Sequence, residues 1–159
     1  MDAIKEQHER AIADAFINWY NQQHNTIFKF HERGETPDFI YIFGNRKMLL
    51  EVTGSYYDDD YAKMLYQNAR HRPNAPQIWI GKEPDQNLIN HANVGLTKKC
   101  AKKYPTGCIL LINIYPDITT SEEFQSLIHQ INIPLNNPFI EIYVGGRFPV
   151  GSFYYWKLF

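Results

Sequence analysis

Apolar positions along the chain follow two different periods. From about Ile4 to Tyr20 the spacing is helical: Ile4, His8, Ala11, Ile12, Ala15, Phe16 and Trp19 share one face, with Lys5, Glu6, Gln7, Arg10 and Asp14 largely outside it. Asn21 to Asn25 is a polar break, Thr26 to Phe30 has strand composition, and His31 to Glu35 is a polar connector. The period then changes to two across Thr36 to Ser55, TPDFIYIFGNRKMLLEVTGS. This stretch predicts two short strands about a Gly44-Asn45 turn, because glycine at the first of two turn positions marks a type II′ hairpin. With Phe43 facing Arg46, counting outward sets Asp38 opposite Glu51. Thr53, Leu49, Ile40 and Ile42 fall on the same face as that pair. The reverse face carries Phe39, Tyr41, Phe43, Met48, Leu50 and Val52, so the hairpin should lie between two layers.

Acidic Asp58, Asp59 and Asp60 precede Tyr61, Met64 and Leu65, which suits a helix amino terminus ending near Pro73; the same run also reads as a metal cluster. Gln77 to Ile80 is strand-like. A helix is expected from about Gln86 to Tyr104, with Lys98, Lys99, Lys102 and Lys103 crowding its last turns. Cys108 to Tyr115 is nearly continuously apolar, as a strand covered on both faces should be. Thr119 to Glu123 caps a further helix that continues through Phe124, Leu127, Ile128 and Ile131. Phe139 to Val144 reads as a strand followed by a Gly145-Gly146 turn, and Ser152 to Phe159 as an edge or near-edge strand. This order predicts one α/β domain over residues 1–159, with a mixed central sheet flanked by helices.

Composition narrows the function. At 159 residues and 44% hydrophobic, the chain supports one core. A net charge of −1 gives no global basic field, so any nucleic-acid surface must be local. Cys100 and Cys108 are the only cysteines and lack CxxC spacing, which argues against a zinc knuckle or a disulfide framework. No apolar run is long enough to span a membrane, and the amino end lacks a signal-peptide core; a cytoplasmic location is expected.

The chemistry centres on Asp38 and Glu51. Two carboxylates a few ångströms apart raise one pKa or attract a cation. Mg²⁺, or Mn²⁺, suits them, because it binds through one or two carboxylates and keeps waters for a phosphate substrate and a nucleophile. A nearby lysine could orient that water. Lys99 lies three residues from Leu96, beside the apolar face of its helix, and its stem can run along that surface toward a site at the edge. Lys98, Lys102 and Lys103 suit a patch for backbone phosphates. Glu9, at the border of the first helix's stripe, is either a solvated flank residue or a carboxylate reaching such a site.

Pro37-Asp38 and Glu51-Val52-Thr53, on a hairpin after a first helix and before a basic helix and a buried strand, resemble the two motifs of the PD-(D/E)xK nuclease superfamily. The resemblance covers about residues 4–115 and leaves 116–159 as an elaboration. It implies a restriction-endonuclease-like core and a Mg²⁺- or Mn²⁺-dependent nuclease acting on DNA or RNA. Asp38 and Glu51 would hold the ion, with Glu9 completing the site from the first helix. Thr53 stands where the motif usually has its lysine, so the resemblance implies a lysine supplied from a helix: Lys99, or Lys63. Members that have lost catalysis imply the alternative of a silent nucleic-acid- or protein-binding domain. A homodimer or partner protein on the carboxyl-terminal strand, Phe153 to Trp156, is a third reading.

Overall fold

The computed structural model describes residues 3–55, 84–116 and 118–159. The helix expected after Tyr61, the strand at Gln77 to Ile80, the acidic run Asp58 to Asp60 and Lys63 lie outside the described residues. Helix α1 (Ala3–His24) is longer than its sequence pattern suggests, and its buried line is Ala13, Phe16, Ile17 and Tyr20. That line is offset from the expected face: Ile4 and Ala11 are exposed, and only Phe16 of the expected set is fully buried. The cause is aromatic packing. Phe16 lies against Tyr143 and Tyr155, with ring centroids 5.1 and 5.3 Å away, and so draws the helix round toward the far strands of the sheet.

Strand β1 (Lys29–Arg33) includes residues expected to form a connector. Its sequence, KFHER, is polar because β1 is an edge strand and four of its five residues are exposed. Strands β2 (Phe39–Phe43) and β3 (Arg46–Ser55) form the expected hairpin, paired from Phe43↔Arg46 to Phe39↔Leu50. Gly44 has φ +60°, whereas Asn45 is not among the residues of positive φ, as a type II′ turn requires. Helix α2 (Pro84–Cys100) ends before Lys102 and Lys103, which occupy the exposed turn that follows rather than the helix itself. Strand β4 (Cys108–Ile114) is buried at all seven positions.

Helix α3 (Ser121–Leu127) opens with the anticipated capping box. The Glu123 N–H donates to Thr120 Oγ1 at 3.1 Å, and the Thr120 N–H donates to Glu123 Oε1 at 3.2 Å. A 3₁₀ turn at Ile128–Gln130 then ends the helical run, so the helix does not continue to Ile131. Strand β5 (Glu141–Arg147) contains Gly145 and Gly146, which are not a turn. A Cβ on Gly145 would fall 2.1 Å from Tyr154 O, and one on Gly146 would fall 2.4 Å from Ile114 O. Their bare backbones let the neighbouring strands close on β5. Strand β6 (Phe153–Lys157) is the far edge.

The six strands form one sheet in sequence order, β1 to β6. Its two ends are antiparallel, while β3, β4 and β5 run parallel. Residues 116–159 therefore add β5 and β6 to the same sheet. Alternation along each strand divides the core in two. On one side α1 meets Phe39, Tyr41, Leu50, Ile109, Leu111 and Tyr143. On the other, α2 and α3 meet Leu49, Leu110, Ile112, Ile142 and Val144. Among the described residues, no helix is long and apolar enough to cross a membrane.

Candidate active site

The hairpin's ladder stops at Phe39↔Leu50, and the residues one step beyond are Asp38 and Glu51. Counting from the turn, this is a non-hydrogen-bonded position, where side chains on opposed strands come closest. At the next step Pro37 would face Val52, but the ladder has already ended, and proline has no N–H to extend it. The carboxylate of Asp38 takes over there, accepting from the Val52 N–H at 3.0 Å. Glu51 reciprocates by accepting from the Asp38 N–H at 3.0 Å. Each carboxylate thus accepts from a main-chain N–H of the opposite strand.

Helix α2 brings the cation. Lys99 Nζ lies 2.8 Å from Glu51 Oε2, and the two side chains are only 19% and 5% exposed. The contact follows from matched repeats. Gly95 sits against Thr53, where a Cβ on the glycine would come within 3.1 Å of Thr53 Oγ1. Four residues on along the helix is about 6 Å, close to the roughly 6.6 Å between alternate residues of a strand. With Gly95 over Thr53, Lys99 therefore falls over Glu51. Thr53 is pressed against the helix, and α2 places an ammonium beside Glu51 from one turn further on. Lys98, on the neighbouring helix position, and Lys102 and Lys103 beyond the helix are exposed.

Tyr104 is a member of the site that its sequence did not disclose. Its hydroxyl donates to Glu51 Oε2 at 3.1 Å, and its ring packs on Phe139 with centroids 4.7 Å apart. Position 104 reads as the end of a helix, and only the turn after Cys100 carries it back over the sheet. Burial, with Glu51 and Asp38 beside it, raises the Tyr104 hydroxyl well above the ordinary range, so it stays a hydrogen-bond donor. Cys108 lies beneath the pair, opposite Leu49 on β3. Burial and the same two carboxylates push its thiol up to about 12, which removes it as a nucleophile.

Asp38 is the perturbed acid of the pair. Burial, and then the nearby Glu51 carboxylate, raise its pKa to about 7 against the opposing effects of the Val52 N–H and Lys99. Glu9 is not brought to this pair. It lies on α1, which packs on the opposite face of the sheet, and Arg33 Nη2 holds it at 2.6 Å. Among the described residues, no three His, Cys, Asp or Glu side chains converge as a metal-holding group. Asp38 and Glu51 remain a pair, which is still within what Mg²⁺ uses. Comparison of the chain with family models, with curated proteins and with solved structures finds no match.

Proposed function

We propose that this protein is a metal-dependent nuclease in which Asp38 and Glu51 would hold Mg²⁺ or Mn²⁺ and Lys99 serves the reacting phosphate. The observation that carries the reading is the 2.8 Å approach of Lys99 Nζ to Glu51, beside a carboxylic acid whose pKa stands near 7. Two carboxylates that together hold a proton so tightly have a deficit of positive charge, and a divalent ion would relieve it. When bound, such an ion stabilises charge on phosphate oxygens and lowers the pKa of its waters. The protein's own groups do the rest. Asp38 gives up its proton as the site is filled, Lys99 orients a water or a phosphate oxygen, and Tyr104 fixes the Glu51 carboxylate on its far side. The run of α1, three antiparallel strands, α2 and parallel β4 supports a restriction-endonuclease-like core. Exposed Lys98, Lys102 and Lys103 beside the site would take the backbone of DNA or RNA. The two free, buried thiols suit a reducing, cytoplasmic setting.

A second reading has its own support. Both Glu51 oxygens already accept hydrogen bonds, from the Asp38 N–H, Lys99 and Tyr104, as in a site that Lys99 neutralises permanently. In that case the domain binds nucleic acid or protein without cleaving. Parallel assays of cleavage and affinity on single- and double-stranded DNA and RNA separate the two. For a nuclease, Lys99→Met lowers the cleavage rate at least about 100-fold with little loss of affinity. Lys102→Ala instead weakens binding and reduces its salt slope by about one. Wild-type protein that binds without cleaving in Mg²⁺ or Mn²⁺ would establish the silent domain.

A further inference from the structure

On the α1 face of the sheet, away from Glu51, a cleft of about 330 Å³ opens beyond the carboxyl end of β4. Parallel sheets commonly bind ligands outside the carboxyl ends of their strands. The volume is at the small end of the roughly 300–1,000 Å³ range of ligand sites, enough for a small ligand whose charged end stays at the mouth. Its floor is Asn113, only 6% exposed in an otherwise apolar strand. Alternation puts an apolar residue at every other position of β4 on this face, so an amide here requires a reason. Among the described residues its one hydrogen bond, from Nδ2 to the Ile114 carbonyl, is a long 3.5 Å, and the amide therefore keeps a donor and acceptor edge for a ligand.

The walls and rim complete a pattern. Ala11, Ile12 and Ala15 of α1 give a smooth apolar wall. Phe153 stands at the rim, 47% exposed, as an aromatic surface open to stacking. Arg147 is also at the rim and exposed, and among the described residues no carboxylate pairs with it. Opposite, His8 and Tyr115 stack and share a 3.0 Å hydrogen bond, which firms the other lip.

We infer that this cleft binds a mononucleotide, with its base inward against Asn113 and Phe153 and its phosphate outward on Arg147. An amide pairs with the edge of a base, an aromatic face stacks on it, and a guanidinium grips phosphate with two parallel hydrogen bonds. The chemistry differs from that of the carboxylate pair, and the site stands or falls independently of nuclease activity.

Calorimetric titration of the full chain with AMP, GMP, CMP and UMP tests the inference, with inorganic phosphate and benzoate as controls. At least one nucleotide should bind at least tenfold more tightly than either control. Arg147→Met should lower that affinity about tenfold or more, and Ala11→Trp, a change at an exposed position that fills the cleft, should abolish it. Lys47→Met, at the turn end of the hairpin, should leave it within twofold. Asn113→Leu should lose discrimination among bases, and Ala11→Trp keeps the test open if that buried substitution does not fold. Binding of phosphate or benzoate as tightly as of any nucleotide would overturn the inference. So would nucleotide binding that survives Ala11→Trp.

Discussion

Asp38 occupies the place where a strand ladder ends, and its carboxyl group accepts from the opposite strand at the cost of being crowded against Glu51. The sign of its effect on stability follows. Its folded pKa of about 7 lies above the ordinary carboxylate value of 3.8, so the folded protein holds this proton more tightly than the unfolded chain. The stabilisation is fully present below the unfolded pKa and is lost as pH rises through about 7. Chemical unfolding in chelator should show wild type losing on the order of 4 kcal/mol relative to Asp38→Asn between pH 4 and pH 8. Parallel pH profiles for the two proteins would place the proton elsewhere. Asp38 and Glu51 were legible in the sequence because a two-residue turn fixes every pairing outward from it. Lys99 was legible through its spacing from Leu96. Tyr104 was not, because its place depends on the direction the chain takes after α2. Glu9 stands on the other face of the sheet, paired with Arg33, a contact that no spacing in the sequence encodes.

At the level of elements, hydrophobic period located α1, the hairpin, α2 and β4, and failed where packing overrode it. The stripe of α1 is wide enough to allow two faces, and the aromatic cluster around Phe16 selects the one through Ala13, Ile17 and Tyr20. Ile17→Ala should therefore cost about 2–5 kcal/mol, whereas Ile4→Ala should stay within about 1 kcal/mol. Equal losses in thermal or denaturant unfolding would contradict the assigned face. Gly145-Gly146 misled for a different reason: paired glycines mark turns, but they also mark strands whose neighbours approach too closely for a Cβ. Gly145→Ala must displace the β6 backbone at Tyr154 and should cost about 1–3 kcal/mol or more. The polar second half of β1, His31 to Arg33, reads as a connector because an exposed edge strand has no buried face to impose alternation.

Across the whole molecule, a parallel centre of β3, β4 and β5, buried by helices on both faces, carries β2 and β1 at one side and β6 at the other. The fold class and the mixed sheet were readable from element order, while the inclusion of residues 116–159 in a single sheet was not. That inclusion depends on non-local pairing of β4 with β5, which no local pattern encodes. The arrangement gives each sheet face a separate chemistry: a carboxylate pair with Lys99 under α2, and a small cleft under α1. In the proposed nuclease, Asp38 and Glu51 together bind a divalent cation. The most direct test is calorimetric titration of Mn²⁺ near pH 6.5 in two buffers of different ionisation enthalpy, on wild type, Asp38→Asn and Glu51→Gln. Wild type should bind one ion with release of between about half a proton and one proton, and both variants should bind at least tenfold more weakly. Equal affinity in all three proteins, or no binding by wild type, would contradict the proposal.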